Sequence, residues 1–363
     1  MTIDLRDLLE ERIDAVPASV GDLDRVRSTG RRIRGRRRAA LGAAAAALVL
    51  AGGTAVIAVD DRTSGGEDSA PDQTRYASLG ALDFSEGARA FGDASHVYLG
   101  GRKVPAENLQ WLDTDAAATS YGIVFYDRGR PMLLDPSGEF SALVDGPLDQ
   151  APRFHPTAKA EGAKPIVAWA TLRDGQVTIS VYDLVAGDVV ASVEPDCGRC
   201  ADLVIDGIDK GVVFVRTGGG TRTWDSATGK WADFAGPQTR VADVRDGVVL
   251  YDGPAPTDVG DWHLVAGAID AQLTLDGDHV LYWSSTLEPT APGGEPIVLE
   301  RGAVDGQGYG QWTIDTDGSV LVITAGRGDD DVVYDCTVPS GVCEEILTFT
   351  ATGGDPMFMG NDM

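Results

Sequence analysis

The sequence contains little histidine and little lysine, and each scarcity narrows what the chain can do. Of its 363 residues, only 4 are histidines and only 5 are lysines. A nucleophile activated by histidine therefore has few candidates, and no G-x-S-x-G nucleophile elbow is present. No phosphate-binding loop is present either, because Gly218-Gly219-Gly220 lacks the lysine and the helix that such a loop needs.

Basic residues are concentrated directly before one long apolar run. Eight arginines lie between residues 25 and 38 with no acidic residue among them, and no charge occurs from Ala39 to Val59. As a helix, these 21 residues would be roughly 31 Å long, enough to cross the hydrocarbon core of a bilayer. The sequence therefore predicts a cytoplasmic segment at 1–38 and a single transmembrane helix at 39–59. The positive-inside rule then places the C-terminal part outside the plasma membrane.

Two alternative interpretations of residues 39–59 are a cleaved signal peptide and a buried helix of a soluble domain. The leader of 38 residues is long for a signal peptide. The flanking arginines disfavour a buried helix. Upstream, residues 1–17 carry apolar residues near helical spacing and end at Pro17, which predicts a short amphipathic helix. This helix is expected to bind a cytosolic protein or to lie along the membrane, and disorder is the third interpretation.

Residues 60–75 are rich in Gly, Ser and Asp and predict a flexible linker. Beyond the apolar run, residues 60–363 contain 20 basic and 49 acidic residues, a net charge of −29. A domain of this charge repels nucleic acid and anionic lipid, so we expect no nucleic-acid partner. No cofactor is indicated by any motif.

All four cysteines lie on the predicted outer side: Cys197, Cys200, Cys336 and Cys343. An even number in an oxidising compartment suggests two disulfides with three possible connectivities, of which we predict the local one. Cys336 and Cys343 flank a turn-like sequence, so their bond would link the two strands of a hairpin. A redox role for Cys197 and Cys200 lacks the surrounding βαβ pattern, and a four-cysteine zinc site lacks the second close pair.

From about residue 76 onward, short runs rich in Val, Ile, Tyr and Trp alternate with turns, which predicts an all-β domain at 76–363. One recurring unit is an Asp-Gly turn before an apolar strand, at Asp206-Gly207, Asp246-Gly247, Asp276-Gly277 and Asp317-Gly318. A second unit is a strand that ends in Asp, followed by a turn that closes with Gly, at Asp135 to Gly138, Asp183 to Gly187, Asp225 to Gly229 and Asp335 to Gly341.

Two alternating turns at a period of about 40 residues indicate a four-stranded antiparallel sheet repeated along the chain. We predict a β-propeller of six to seven four-stranded blades, with a pair of β-sandwiches as the alternative. Closing the ring would cover the buried face of each sheet and shield most edges. The first blade is incomplete around His96 to Leu99, and Pro356 to Met359 are expected to supply its missing strand.

The layout resembles actinobacterial single-pass membrane proteins that carry an extracytoplasmic WD40/TolB-like propeller. The resemblance rests on the arginine-rich leader, the alanine-rich span and repeats such as Tyr334-Asp335-Cys336 with Gly341-Val342-Cys343. Trp224-Asp225 is the only Trp-Asp pair, and the Gly-His pairs of WD40 repeats are missing. The resemblance implies architecture and location and assigns no functional residue. Similar leaders occur in membrane partners of sigma factors, but residues 1–38 lack the zinc motif common in anti-sigma domains.

Candidate chemistry is sparse. Of the histidines, His96 and His279 adjoin apolar strands and are interpreted as structural, whereas His155 and His263 lie in loop-like surroundings and are better candidates for a role. The acidic clusters at Asp315-Thr316-Asp317 and Asp329-Asp330-Asp331 are interpreted as solvated turns, with weak calcium binding as the alternative.

These features support three hypotheses. The first is a non-catalytic, membrane-anchored binding or scaffold module that engages an unknown extracytoplasmic ligand or protein. The second is an extracytoplasmic hydrolase or lyase that uses carboxylates near the central channel. The third is a membrane regulator that binds a cytosolic partner, in the manner of a sigma-factor partner, through residues 1–30.

Overall fold

The computed structural model describes residues 76–93, 95–105, 116–127, 129–146, 148–149, 157–162, 164–197, 200–257, 259–282, 285–300, 311–326, 330–350 and 357–358. The predicted segments 1–38, 39–59 and 60–75 lie outside these residues, so they stay predictions. Within the described ranges, no helix is both long enough and apolar enough to cross a bilayer.

Strands dominate the described residues, and one 3-10 turn occurs at Cys200–Asp202. The first strands are β1 (Phe91–Gly92), β2 (His96–Leu99), β3 (Arg102–Pro105), β4 (Ala117–Thr119), β5 (Gly122–Asp127), β6 (Arg130–Leu134), β7 (Phe140–Ala142), β8 (Ala158–Ala160), β9 (Ile166–Arg173), β10 (Gln176–Asp183), β11 (Asp188–Val193), β12 (Val204–Asp209), β13 (Val212–Thr217) and β14 (Gly220–Asp225). The remaining strands are β15 (Trp231–Ala235), β16 (Arg240–Arg245), β17 (Val248–Asp252), β18 (His263–Ala266), β19 (Gln272–Leu273), β20 (His279–Leu281), β21 (Thr286–Pro289), β22 (Ile297–Val298), β23 (Gln311–Ile314), β24 (Val320–Ala325), β25 (Asp330–Cys336), β26 (Cys343–Thr350) and β27 (Met357–Phe358).

These strands form seven sheets, and the domain is a seven-bladed propeller. We number the blades I to VII along the chain, and the strand orders from the inside outward are β27-β1-β2-β3, β4-β5-β6-β7, β8-β9-β10-β11, β12-β13-β14-β15, β16-β17-β18, β19-β20-β21-β22 and β23-β24-β25-β26. The prediction of an all-β propeller of six to seven blades is confirmed, and the two β-sandwiches are not formed.

The ring is closed by the C-terminal strand. Strand β27 pairs antiparallel with β1, placing Phe358 opposite Phe91 and Met357 opposite Gly92. The C-terminal segment thus supplies the inner strand of blade I, as the sequence predicts. Phe358 is 2% exposed and lies edge-on to the ring of Phe91, so apolar contact reinforces the hydrogen bonds of this closure.

Blade V departs from the predicted four-stranded pattern. It has three strands among the described residues, and its third strand, β18, runs parallel to β17. A parallel partner cannot be reached through a tight hairpin, so the chain must cross before it returns. Pro254 and Pro256 lie in this crossing and lack the backbone N–H that a ladder needs.

The predicted turns are located correctly with one exception. Asp246-Gly247, Asp276-Gly277 and Asp317-Gly318 each join the first two strands of a blade, whereas Asp206-Gly207 lies inside β12 at a β-bulge. The turn there is formed by Lys210 and Gly211, with φ of 50° and 76°. The sequence pattern was wrong because a second glycine, four residues further on, takes the left-handed position.

Apolar clusters lie between neighbouring blades all the way around the ring. Seven clusters of buried residues correspond to the seven blade interfaces, including the closing interface between blades VII and I. In β5, Ile123 and Phe125 pack toward blade I, and Val124 and Tyr126 pack toward blade III. Both faces of this blade are therefore buried, not one face as the sequence analysis expected.

Both disulfides that local pairing predicts are present. The bond between Cys336 and Cys343 joins directly opposed residues of β25 and β26. The bond between Cys197 and Cys200 closes the link between blades III and IV and packs against the apolar cluster between them. Each bond thus lies in a structural position, a hairpin in one case and a blade junction in the other.

Candidate functional site

A cavity of about 460 Å³ lies along the centre of the ring, enclosed by the inner strands of the blades. Its volume is within the range typical of small-molecule pockets. One part of its lining consists of alanines on or beside the inner strands of blades II and III. We call this part the alanine-lined wall: Ala116, Ala117, Ala118, Ala158 and Ala160. Small side chains at these positions leave the centre of the ring open.

Charged residues line the cavity on the adjoining blades, and one of them is the buried carboxylate Asp206. The bulge in β12 brings the Asp206 carboxylate against Arg216 of the neighbouring strand β13, whose Nε donates to both carboxylate oxygens at 3.0 Å. Burial raises the pKa of Asp206 to about 6, although the positive charges of Arg216, Lys159 and Arg240 act to lower it. Asp206 is thus a nearly buried carboxylate held beside three cations.

The two arginines of this group have hydrogen-bonding capacity left over. Arg216 uses its Nε for Asp206, and no other contact of its guanidinium occurs with the described part of the chain. Arg240, at the start of β16, is exposed and forms no hydrogen bond or ion pair with the described residues. A guanidinium group carries five N–H donors in a planar fork, so both side chains can receive an oxyanion.

Other polar side chains in or directly after the inner strands connect each blade to the next. We call them the interblade acceptors: Glu161, Asp209, Asp243, Gln272 and Asp315. Each accepts a hydrogen bond from a backbone N–H of the following blade, which covers five successive junctions from blade III to blade I. For example, Asp209 Oδ2 accepts from the Gly247 N–H at 2.7 Å. These groups therefore satisfy backbone donors, which are buried at Ala88 and part-buried at the other four junctions.

Asp315 makes the largest set of these contacts. Its two carboxylate oxygens accept from the backbone N–H groups of Ala88 and Arg89, each at 2.9 Å, and Oδ1 also accepts from Thr316 at 2.7 Å. Asp315 is 5% exposed, and burial raises its pKa even though these hydrogen bonds oppose the shift. This carboxylate links blade VII to the segment that leads into blade I.

The structure does not bring the predicted histidines together. His155 lies outside the described residues, and no histidine of the described part lines the cavity. His263 is exposed in β18, with its Nε2 3.5 Å from the carbonyl oxygen of Thr290. His96 lies in β2, and His279 Nε2 lies 3.1 Å from the carbonyl oxygen of Glu295. The histidines that we can place are therefore on separate blades, away from the cavity.

The predicted acidic clusters have structural partners where the structure describes them. Asp315 is an interblade acceptor, and Asp317 accepts from the Ser319 N–H within its own turn. In the second cluster Asp329 lies outside the described residues, whereas Asp330 accepts from the Thr350 hydroxyl at 2.6 Å. No group of three or more metal-ligating side chains occurs within the described ranges.

Local sequence patterns do not identify Asp206, Arg216 and Arg240 as residues of the site. The glycine that follows Asp206 predicts a turn there. Arg216 ends an apolar strand, and Arg240 follows a proline-containing turn, which are ordinary positions for solvated residues. Asp206 and Arg216 meet within the hairpin of β12 and β13, but the packing of blade V against blade IV is needed to bring Arg240 to the same cavity.

No protein-family model and no curated protein sequence matches this chain. Among solved structures, it is similar to dihydro-haem d1 dehydrogenase NirN, with 11% identity, 84% of each chain covered and a TM-score of 0.36. TolB from Acinetobacter baumannii is similar at 12% identity and a TM-score of 0.33, with 77% of this chain covered. The match spans 65% of the TolB chain. The WD40 repeats of RRP9 are similar at 10% identity and a TM-score of 0.30, with 76% of this chain and 87% of theirs covered.

Proposed function

We propose that this protein is a membrane-anchored, extracytoplasmic binding module whose ligand enters the central cavity of the propeller. The observation that carries the proposal is the cavity of about 460 Å³, whose lining combines the alanine-lined wall with two arginines that have donors not used by the described residues. An apolar surface with a few convergent polar groups is the usual composition of a ligand site.

The location outside the membrane is supported by three features. The arginine-rich leader precedes an uncharged run of 21 residues, which favours a cytoplasmic N-terminus. Both cysteine pairs form disulfides, as expected in an oxidising compartment. The net charge of −29 on residues 60–363 favours solubility outside the cell.

A protease-protection experiment on the full chain tests the location. The chain would be produced in a bacterial host with different epitope tags at its two ends, and spheroplasts would be treated with protease. We expect the C-terminal tag to be digested in intact spheroplasts and the N-terminal tag only after lysis. A control chain that lacks residues 39–59 should leave the membrane fraction. Protection of the C-terminal tag in intact spheroplasts contradicts the proposal.

An extracytoplasmic hydrolase or lyase is the second candidate, and the raised pKa of Asp206 is the observation that favours it. Against it, Arg216 engages both oxygens of this carboxylate, and the side chain is only 5% exposed. The binding proposal expects no turnover of p-nitrophenyl glycosides or esters by the purified chain. Turnover that disappears in the Asp206→Asn variant supports the enzyme instead.

The short N-terminal segment is proposed as a contact for a cytosolic protein. Its support is the amphipathic pattern of residues 1–17, which lie outside the described residues. Sigma factors are the partner class that the resemblance suggests. Co-purification of a sigma factor with the full chain, lost when Leu5, Leu8 and Leu9 are changed to Asp, is the expected result. Equal recovery with the altered chain contradicts this contact.

A further inference from the structure

We propose that Arg216 and Arg240 form a binding site for the carboxylate or phosphate group of a small organic anion. The apolar part of this ligand lies against the alanine-lined wall. This inference rests on the proposed function, since it assigns the chemical class of the ligand that enters the cavity.

In the cavity lining, more of the hydrogen-bond acceptors than of the donors are already bonded to the protein. Its lining contains four cationic side chains, and four carboxylates oppose them: Lys159, Arg216, Arg240 and Arg245, against Asp206, Asp243, Asp270 and Asp315. Three of the carboxylates are already bonded to the protein, Asp206 to Arg216 and the other two to backbone N–H groups. Asp270 is the exposed carboxylate of the lining. The unused hydrogen-bonding capacity is therefore mainly that of guanidinium donors.

The positive side chains are grouped around one position. Arg216, Lys159 and Arg240 all lie close enough to Asp206 to lower its pKa by their charge, although they come from blades IV, III and V. The lining as a whole is balanced, with four cationic and four carboxylate side chains. Around Asp206, three cations surround one carboxylate, so positive charge is in excess at that position only. Residues 60–363 as a whole carry a net charge of −29, so an anion is attracted to this position and repelled by most of the surface.

Asp206 positions the guanidinium of Arg216. The carboxylate engages Nε, so the terminal nitrogens Nη1 and Nη2 are left for a ligand. Arg240 is not held in this way and can adapt to the ligand. The guanidinium of Arg216, held by Asp206, and the unrestrained guanidinium of Arg240 suit an oxyanion, because each can donate two parallel hydrogen bonds to it.

The alanine-lined wall determines what the rest of the ligand must be. Of its five alanines, Ala118 and Ala160 are half-buried, whereas the methyl groups of Ala116, Ala117 and Ala158 are buried in the apolar clusters between blades. The wall has no charged group other than Lys159. A flat apolar ring or a short hydrocarbon chain would displace water from the apolar part of this wall, which favours binding. The predicted ligand is therefore amphipathic, with one anionic end.

Isothermal titration of the full chain in detergent micelles tests the site with three small probes. Benzoate and phenyl phosphate carry the two candidate anionic groups on one ring, and benzyl alcohol is the neutral control. We expect one or both anions to bind at least about tenfold more tightly than benzyl alcohol, since a hydrogen bond from a guanidinium to an anion is stronger than one to a neutral hydroxyl. The stronger of the two anions identifies carboxylate or phosphate as the preferred group.

The variant Arg240→Gln should weaken the binding of the preferred anion about tenfold or more and leave benzyl alcohol unaffected. Arg222→Gln is the matched control, because Arg222 lies in the same blade as Arg216 but outside the cavity, beside Asp233 and Trp231. Raising NaCl from 50 to 500 mM should weaken the binding of benzoate and phenyl phosphate but not the binding of benzyl alcohol.

Three outcomes overturn the inference: equal binding of all three probes, equal effects of the two arginine variants, or no binding of either anion. None of these outcomes affects the protease-protection result, which tests the membrane location separately. Binding of benzyl alcohol as tight as that of the anions would retain the cavity as a ligand site and reject only the anionic ligand.

Discussion

The interblade acceptors and the two arginines Arg216 and Arg240 lie close to the centre of the ring but have different partners. Asp209, Asp243 and Asp315 accept from backbone N–H groups of the next blade. The Arg240 side chain forms no hydrogen bond or ion pair with the described residues, and Arg216 bonds to them through Nε alone.

The carboxylates Asp209, Asp243 and Asp315 thus hold neighbouring blades together, and Arg245 also links blades because its Nη1 donates to the Ala160 carbonyl oxygen. Arg216 and Arg240 are the cations whose donors remain available at the cavity. Most carboxylates of the inner ring therefore have a structural role at a blade junction. The positions of Arg216 and Arg240 have no such role to explain them.

Carboxylates and guanidinium groups differ at the blade junctions because one accepts hydrogen bonds and the other donates them. At blade junctions the exposed ladder edges present backbone N–H donors that must be satisfied when buried. A carboxylate accepts from two or three of them, but a guanidinium can only donate. Acceptors are therefore consumed by the blade junctions, whereas the guanidinium donors of Arg216 and Arg240 are left for a ligand.

Replacement of Asp315 by Ala should have the largest effect on stability. It leaves the buried N–H groups of Ala88 and Arg89 without an acceptor, at about 1–3 kcal/mol each, so the free energy of unfolding should fall by about 4 kcal/mol. Chemical denaturation of the full chain measures this. Asp317→Ala is the matched control, because Asp317 accepts only within its own exposed turn. Equal losses for the two variants would show that Asp315 does not hold blades VII and I together.

Asp206 should make stability depend on pH. Its folded pKa of about 6 lies above the ordinary value of 3.8, so the folded state binds the proton more tightly than the unfolded state. The free energy of unfolding should therefore fall by up to about 3 kcal/mol as pH rises from about 4 to about 6, and this contribution should be constant above that.

Denaturation midpoints at pH 4, 5, 6 and 7 measure this dependence for wild type and Asp206→Asn. The variant should have a flatter profile, because an amide does not titrate. Burial also raises the pKa of Asp209 and Asp315, and those contributions persist in both proteins, so only the difference reports on Asp206. Asp233→Asn, at a side chain that is 90% exposed, is the control. Parallel profiles for wild type and Asp206→Asn would contradict the assignment.

Replacement of Asp209 by Ala should have an intermediate effect. Only the Gly247 N–H loses its acceptor, so we expect a loss of about 2 kcal/mol. Asp246→Asn serves as the comparison, because Asp246 forms only a surface ion pair with Lys210 and asparagine tolerates its φ of 43°. A loss in Asp209→Ala no greater than in Asp246→Asn would remove Asp209 from the interblade acceptors.

Arg240→Gln should change stability least, by less than about 0.5 kcal/mol, because an exposed side chain without a protein partner contributes little to folding. Thermal unfolding of the purified chain, compared with wild type at the same pH, measures this. A loss as large as that of Asp209→Ala would make Arg240 a structural residue and would weaken its assignment to the ligand site.

Much of the fold follows from local patterns. Asp246-Gly247 and Asp276-Gly277 form turns between the strands that flank them, and Cys336 is opposed to Cys343 across a hairpin. These features depend on residues a few positions apart, so their chemistry can be interpreted without knowing the rest of the chain. The predicted C-terminal closing strand, which pairs with β1, follows from the repeat and from the strand that the first blade lacks.

The candidate site does not follow from local patterns. Asp315 contacts Ala88 across 227 positions, and Arg240 lines the same cavity as Lys159 and Arg216 only because the blades close into a ring. The repeat in the sequence describes one sheet at a time. It therefore does not reveal that both faces of β5 are buried or that β18 pairs parallel to β17. The sequence by itself determined strands, turns, disulfides and the closing strand, because each is encoded by neighbouring residues or by the repeat. The tertiary structure alone decided which charged side chains are bonded to a neighbouring blade and which face the cavity, because that depends on groups far apart in the chain.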